Sequence, residues 1–366
     1  MKYCFLMQIN NQHTKRIFLS GFILLLHLFS VAQRFTDSPY SRFGIGQLNQ
    51  KTFANLNAMG GTHIAIKNDT LLPLFINIGN PASYSSLALT TFDAGVNSTF
   101  NQFSNTDSKF NSNNTSLNHI ALGFPIRKSM GACLGILPLT LSGYEINHYR
   151  EVENIGEIKE NYEGSGGTNQ IFLGFAWKPF SNNYLIYKNS QSFKKDWSDL
   201  DRKKFNQKSS LKKWLSSISI GANGYYYFGT INTISRLIYP SVSNTFNTRL
   251  TRQIELNALS ASFGLQNTFT ISNVKIKKSD STLHSNNTSI YRELKEKIEI
   301  TLGYTYSLNN PLNATYTEFA NTFVYYGFAK NESVRDTIFY RADQKGNIKL
   351  PEMHGIGLSI RKGNKL

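Results

Sequence analysis

Apolar and polar residues alternate along much of this chain with a period of two, the pattern of β-strands that present one apolar and one polar face. The most regular runs are 92–100, 119–126, 171–178, 259–271 and 298–306, where Phe, Ile, Leu and Tyr alternate with Gly, Ser, Thr and Asn. Less regular strand patterns cover 130–142, 216–229, 319–328, 336–341 and 354–361. The sequence therefore predicts an all-β protein of about ten strands.

Two architectures produce this alternation. A soluble β-sandwich turns the apolar faces inward, whereas a transmembrane β-barrel turns them outward to lipid and keeps small and polar residues in a wet lumen. The runs are about 9–13 residues long, which suits a tilted membrane crossing. Aromatic residues gather near strand ends, as at 225–228 and 323–328. These features favour an antiparallel transmembrane β-barrel, with an exported β-sandwich as the alternative.

Composition narrows the class of protein further. The 366 residues include 39 Lys and Arg against 23 Asp and Glu, a net charge of +16, while only 17% are charged and 13% are aromatic. A mean hydropathy of −0.31 excludes a polytopic helical membrane protein. The two cysteines, Cys4 and Cys133, cannot form the disulfide framework of a small secreted domain.

The N-terminal residues 1–33 have the pattern of a secretory signal peptide. Lys15 and Arg16 precede the apolar run 17–31, which ends at small residues around Ala32. The run is short for a membrane-spanning helix, so an uncleaved anchor is the less favoured interpretation. We therefore expect an exported protein, located after cleavage in the outer membrane of a Gram-negative bacterium.

Polar connections separate the predicted strands. The segments 101–116, 182–214 and 274–297 are rich in Asn, Ser and Lys and are predicted to be loops. The second of these holds nine Lys and Arg against three Asp, but it lacks the interleaved aromatic residues of a nucleic-acid site. We therefore expect solvated loops beside anionic lipid and lipopolysaccharide head groups, and no nucleic-acid partner.

Residues 34–88 differ from the strands and are predicted to form an N-terminal hatch inside the lumen. They contain Gly60 and Gly61, and later Asn80-Pro81-Ala82. Glycine permits a positive φ, and a residue before proline is biased towards extended backbone. A compact, irregular segment ahead of the first long strand is consistent with a plug.

The hatch motifs resemble those of the FadL-type outer-membrane transport proteins, including their PorV-like relatives in type IX secretion. In that superfamily a Gly-Gly-Ala-like turn precedes Asn-Pro-Ala by some twenty residues, as Gly60-Gly61-Thr62 precedes Asn80-Pro81-Ala82 here. Thr62 and Ser83 depart from the usual Ala and Gly. The resemblance implies a barrel of fourteen strands over 89–366. Because about ten strands are found, we expect a chain truncated at its C-terminus.

The resemblance implies passive uptake of hydrophobic or amphipathic small molecules across the outer membrane, as in a porin-like transporter. The alternative is a non-transporting outer-membrane scaffold, or a secretion-associated barrel, that binds secretion or surface-assembly proteins. Gly60, Gly61, Asn80, Pro81 and Ala82 are expected to set the hatch backbone. The candidate lumen or ligand contacts are His63, Tyr84 and His119.

The sequence offers no support for catalysis. The histidines are scattered, and neither a His-Glu-x-x-His nor a Gly-x-Ser-x-Gly motif is present. The protein is therefore predicted not to be an enzyme and to need neither a metal nor another cofactor.

Overall fold

A computed structural model describes residues 36–49, 52–68, 74–104, 109–181, 212, 214–240, 245–279, 291–326 and 331–362, without the side chains of 271–279 and 291–297. The signal-peptide prediction for 1–33 and nearly all of the predicted loop 182–214 lie outside these residues. Within them, no helix is both long enough and apolar enough to cross a membrane.

In the described part of the chain, eleven antiparallel strands form one curled sheet, a half-barrel. The strands are β1 (Gln47–Leu48), β2 (Thr91–Ser104), β3 (Lys109–Arg127), β4 (Met130–Val152), β5 (Gly156–Trp177), β6 (Ser219–Ile238), β7 (Asn247–Ser279), β8 (Tyr291–Ser307), β9 (Pro311–Tyr326), β10 (Asn331–Lys349) and β11 (Met353–Lys362). The 3₁₀ helices η1 (Pro39–Arg42) and η2 (Pro81–Ser86) and the short α-helix α1 (Ala54–Asn57) precede β2. The predicted all-β, barrel-type fold is confirmed.

Apart from the short β1, the strands lie side by side in eight rows that follow the order of the chain. A row is a single strand or two strands placed end to end. From β2 to β7 each strand pairs with the next one. β7 then pairs with β8 through residues 262–279 and with β9 through 247–257, so β8 and β9 follow one line along it. β10 and β11 likewise follow one line, pairing with β9 and β8 respectively. The sheet is thus an up-and-down meander, the connectivity of outer-membrane barrels.

One face of the sheet carries exposed large apolar side chains, and most of them lie in one part of each row. We call this part the apolar zone, and we call the strand segments that continue from one end of it in β4 to β7, β9 and β10 the polar zone. The apolar zone comprises 91–100, 117–138, 168–177, 219–228, 257–269, 298–307 and 353–362, and its exposed side chains include Phe92, Val96, Ile120, Leu134, Leu173, Phe175, Ile220, Leu259, Leu265, Leu302, Ile356 and Leu358. The alternative prediction of a β-sandwich is wrong, because these side chains are exposed and do not fill a core between two sheets.

The apolar zone has the height of a membrane crossing. Along β5 it runs from Thr168 to Trp177, and ten strand residues span about 33 Å. With the usual barrel tilt this becomes a band about 25 Å tall. Tyr226, Tyr304 and Tyr306 lie near its boundary with the polar zone, where amphipathic rings are favoured at a membrane interface.

The polar zone comprises 140–152, 156–167, 230–238, 247–256, 311–326 and 331–349. On β5 and β7 the positions that continue the outward face carry Glu, Lys, Asn, Ser, Arg, Thr and Gln. Its exposed large apolar side chains lie at strand ends and on β10, at Tyr149, Tyr326, Val334, Ile338 and Tyr340.

Two loop predictions are wrong within the described residues. The segment 101–116 is a hairpin in which β2 extends to Ser104 and β3 begins at Lys109. The segment 274–297 contains the end of β7 and the start of β8, paired from Asn273↔Lys297 to Ser279↔Tyr291. Both segments are rich in polar residues, so backbone pairing continues where the regular apolar alternation has ended.

Candidate functional site: the hatch and its seat

The residues before β2 lie against the inner face of the half-barrel. We call residues 36–68 and 74–87 the hatch. Phe53, Ile76, Ile78, Tyr84 and Leu87 of the hatch are buried in one cluster with residues of β3 to β7 and β9. The inner face in this region is therefore packed, and the expectation of a wet lumen along the small-residue face is wrong there.

Small residues on four neighbouring strands form the seat on which η2 rests. Gly131, Ala176, Gly221 and Gly264 are paired across β4, β5, β6 and β7 in a single row. A Cβ atom on Gly221 would lie 2.5 Å from the Pro81 carbonyl carbon, and one on Gly131 or Gly264 would overlap Tyr84 or Asn80. The glycines are there because the hatch backbone approaches the strand backbone directly.

Asn80 fixes the start of η2. It has extended backbone (φ −134°, ψ 104°), and its side-chain oxygen accepts a hydrogen bond from the Ala82 N–H at 3.1 Å. Pro81 follows at the first helical position, where its missing N–H has no cost. The Asn80 amide also donates to the Ile64 carbonyl at 2.6 Å, so one fully buried side chain joins two parts of the hatch.

Gly60 and Gly61 close the turn after α1. Both have positive φ, 72° and 76°. The Gly61 N–H donates to the Leu56 carbonyl and the Gly60 N–H to the Asn57 carbonyl, which is the hydrogen-bond pattern of a Schellman C-cap. A side chain at either position would strain the backbone, although the space around Gly60 is open.

The three candidate ligand contacts all touch protein. The His63 Nδ1 lies 2.7 Å from the Gly61 carbonyl oxygen, and the ring covers Gly79. Tyr84 is 1% exposed beneath β5 and β6. The His119 ring is stacked on Phe53, with ring centroids 3.5 Å apart, and its Nε2 lies 3.2 Å from an Asp93 oxygen. Their role in ligand binding stays a prediction.

Several hatch-binding residues were not anticipated from the sequence. The Gln266 amide donates to the Ile64 and Ile66 carbonyls, the Asn223 amide to the Ile78 carbonyl, and the Ser359 hydroxyl to the Ala65 carbonyl. Within the hatch, the Asn77 amide donates to the His63 and Ile66 carbonyls. Asn223 and Gln266 could have been found from the sequence, because each is an amide side chain on the polar side of an alternating strand.

The beginning of the hatch fills a gap in the wall. β3 and β4 pair only up to Ile120↔Ile136. Beyond that point β1 pairs with β4 at residues 140 and 141, the Asn49 N–H donates to the Leu139 carbonyl, and the Ser38 N–H donates to the Gly143 carbonyl. The free edge of β4 thus receives hatch backbone in place of β3.

An apolar hollow of about 440 Å³ lies beside this gap. Its lining comes from β3, β4, β5 and β6 and includes Leu117, Ile136, Pro138, Leu141 and Phe228. Glycines at 166, 167 and 229 contribute backbone to its wall, and the first two have positive φ. The hollow would accommodate an apolar group of modest size.

Ion pairs bind the strands of the polar zone to one another. Glu332 of β10 accepts from Arg236 of β6 at 2.8 Å and from Arg249 of β7 at 2.5 Å, and Arg236 also contacts Glu163 of β5 at 2.8 Å. A second group joins Glu318 of β9 to Arg252 of β7 at 3.0 Å. In the part of the chain that the structure describes, no three His, Cys, Asp or Glu side chains are grouped to hold a metal ion.

Comparison with known proteins gives one family match. The family model BamG matches residues 14–191, a little under half of the chain, including the hatch and the strands from β2 to β5. No curated protein and no solved structure matches the chain. Over the span that holds the hatch and its first supporting strands, the chain is similar to the BamG family, and the resemblance to FadL-type proteins stays a prediction.

Proposed function

We propose that the protein is an outer-membrane β-barrel protein that acts with the β-barrel assembly machinery by binding protein partners, without passing small molecules. The outward apolar zone supports a membrane location, because its height and sidedness suit lipid contact. The BamG match supports the link to assembly, since that family belongs to the outer-membrane Bam system.

The fixed hatch is the observation that carries this proposal. Side chains of Asn223, Gln266 and Ser359 donate to hatch carbonyls, and the backbone of η2 rests on the glycine seat. Moving the hatch would break these hydrogen bonds and expose the apolar side chains of its core. Each buried polar group left unpaired, such as the Asn223 or Gln266 amide, costs free energy. A hatch held in this way favours a scaffold over a transporter with a moving plug.

The experiment is crosslinking of the tagged full-length protein in intact outer membranes, followed by identification of captured proteins. An unrelated barrel expressed at the same level is the control. We expect subunits of the assembly machinery to be enriched with this protein and absent from the control. Equal recovery from the two samples would contradict the proposal.

A second candidate function, uptake of a hydrophobic small molecule, is favoured by the apolar hollow beside the β3–β4 gap. Filling it with a Leu117→Trp substitution should slow uptake of a labelled fatty acid into liposomes carrying the protein. A Phe100→Trp variant, which changes an exposed apolar side chain of β2 outside the hollow, is the control. If liposomes carrying the wild-type protein take up the fatty acid no faster than empty liposomes, the hypothesis of fatty-acid uptake is wrong.

A further inference from the structure

The β3–β4 gap exposes part of the edge of β3. This strand pairs with β4 only from Ile120 towards the turn, whereas residues 115–119 lie in the ladder with β2 on their other side. In the described part of the chain, the hatch backbone that enters the gap pairs with β4, and neither β4 nor the hatch pairs with this stretch of β3. Such an edge presents backbone N–H and C=O groups that can bind another strand.

The gap is bridged at its narrow end and contains a cavity beside the bridge. The Asn49 side-chain amide donates to the Asn118 side-chain oxygen at 3.3 Å and to the Pro138 carbonyl at 3.2 Å, so it connects β3 with β4. The apolar hollow of about 440 Å³ lies between the same two strands, because Leu117 of β3 and Leu141 of β4 both line it. The edge of β3 therefore faces the hatch-covered edge of β4 across open space.

Apolar side chains border the gap on both sides. Leu48 of β1 is 64% exposed, and Leu117 of β3 is 52% exposed. Ile136, Pro138 and Leu141 of β4 add apolar surface to the hollow between them. Exposed apolar side chains gathered around an apolar cavity are typical of a surface that binds a partner.

The combination of a strand edge and an apolar cavity selects the class of occupant. A lipid acyl chain could fill the cavity, but it has no group that can hydrogen-bond to the edge of β3. Backbone groups left unpaired at the border of a membrane-facing zone cost free energy. An extended polypeptide satisfies such an edge with its own backbone and places alternate side chains in the cavity. The hatch already binds the β4 edge in this way through residues 47–49, so an inserted strand would continue an existing interface.

We infer that a partner protein inserts an extended segment into the β3–β4 gap, where it pairs with residues 115–119 of β3 and places an apolar side chain in the hollow. The inserted segment alternates apolar and polar residues, as the strands of outer-membrane barrels do. This inference rests on the proposed function, because it states where and in what form a protein partner binds.

The test measures binding of a fluorescent peptide to the full-length protein in detergent by fluorescence anisotropy. The peptide alternates Phe and Thr over about nine residues, the length of a transmembrane strand. A matched peptide has the same side chains but is N-methylated at every backbone amide, so it cannot form a strand ladder. We expect the unmethylated peptide to bind and the methylated peptide to bind at least about tenfold more weakly, because several backbone hydrogen bonds are lost.

Two variants fill the hollow from different strands. Leu117→Trp fills it from β3 and Asn169→Trp from β5, and each should weaken peptide binding at least about tenfold. Phe100→Trp on β2 and Ser165→Trp on β5 are the matched controls, because both residues are exposed and neither lines the hollow. The controls should bind within about twofold of wild type. The second filling variant keeps the test decisive if the first fails to fold.

Three results would overturn the inference: no binding to the wild type, equal binding of the two peptides, or equal binding by the filled and control variants. Equal binding of the two peptides together with displacement by laurate would assign the hollow to an acyl chain instead.

Failure of this inference is distinguishable from failure of the proposed function, because the peptide assay contains no subunit of the assembly machinery. Enrichment of those subunits in crosslinked membranes without peptide binding overturns the inference alone. Peptide binding without that enrichment overturns the proposed function alone.

Discussion

The apolar and polar zones are parts of the same strands, yet different interactions stabilise them. In the apolar zone, large side chains point outward, and glycines on the inner face let the hatch backbone approach β4 to β7. In the polar zone, the outward positions are hydrophilic, and the ion pairs of Glu332 with Arg236 and Arg249 and of Arg236 with Glu163 connect four strands. The backbone pairing is continuous from one zone to the other. The side chains alone therefore make the outer surface of the apolar zone suited to lipid and that of the polar zone suited to water.

The difference also shows where a strand of this kind can change without harm. Outward positions of the apolar zone need only be apolar, whereas inward positions are limited to residues that leave room for the hatch. In the polar zone the outward residues need not be apolar, and fewer inward residues need to be small. Substitutions matched along a single strand can therefore test each part of the comparison.

The largest effect is expected for a charge on the outward face of the apolar zone. Leu173 is 64% exposed at the middle of this zone on β5, and Leu173→Arg should destabilise the membrane-inserted protein by about 2–4 kcal/mol. Ser165→Arg, on the same strand and face in the polar zone, should have little effect. Unfolding in lipid vesicles by urea measures both, and equal costs would contradict a lipid-facing apolar zone.

A somewhat smaller effect is expected at the glycine seat. Gly221→Ala places a methyl group 2.5 Å from hatch backbone, and such overpacking costs about 1–3 kcal/mol. Gly224→Ala, also on β6, meets nothing closer than 3.9 Å. Limited proteolysis should release hatch fragments from the first variant and not from the second. Equal protection of the hatch would show that η2 does not rest on this row.

The smallest effect is expected from the ion pairs of the polar zone. Glu332→Gln weakens the contacts with Arg236 and Arg249, and partly exposed pairs of this kind contribute about 1 kcal/mol or less. Hydrogen exchange should quicken in β9 and β10 but not in β8 and β11. Glu157→Gln, an exposed change in the same zone, is the control. The difference between the two variants should shrink at high salt.

The sequence predicted the apolar zone well and the polar zone poorly. Alternation such as that of 171–178 marks strands with one apolar face, and β5 does contain that run. The first half of β5, from Gly156 to Gly167, lacks this alternation, because Ile158 and Tyr162 are its only large apolar or aromatic residues. Only pairing with β4 and β6 makes it a strand, and no local pattern reports such pairing.

Within the candidate site, local motifs were readable and long-range contacts were not. The glycine pair and Asn-Pro-Ala mark turns because those residues have distinctive backbone preferences. The partners of Asn223 and Gln266 are 145 and 200 or more residues away along the chain. Inner-face glycines such as Gly264 were predicted to line a wet lumen, because small residues are common there. The sequence does not show that the hatch backbone packs directly against them.

The joints between β8 and β9 and between β10 and β11 lie side by side. Residues 308–310 and 350–352 separate these strands, and each joint contains or is followed by a proline. Both lie at the border between the zones, while β7 continues past them unbroken. A short epitope inserted at 350–352 would therefore mark that border, and antibody access in intact cells would reveal which zone points out of the bacterium.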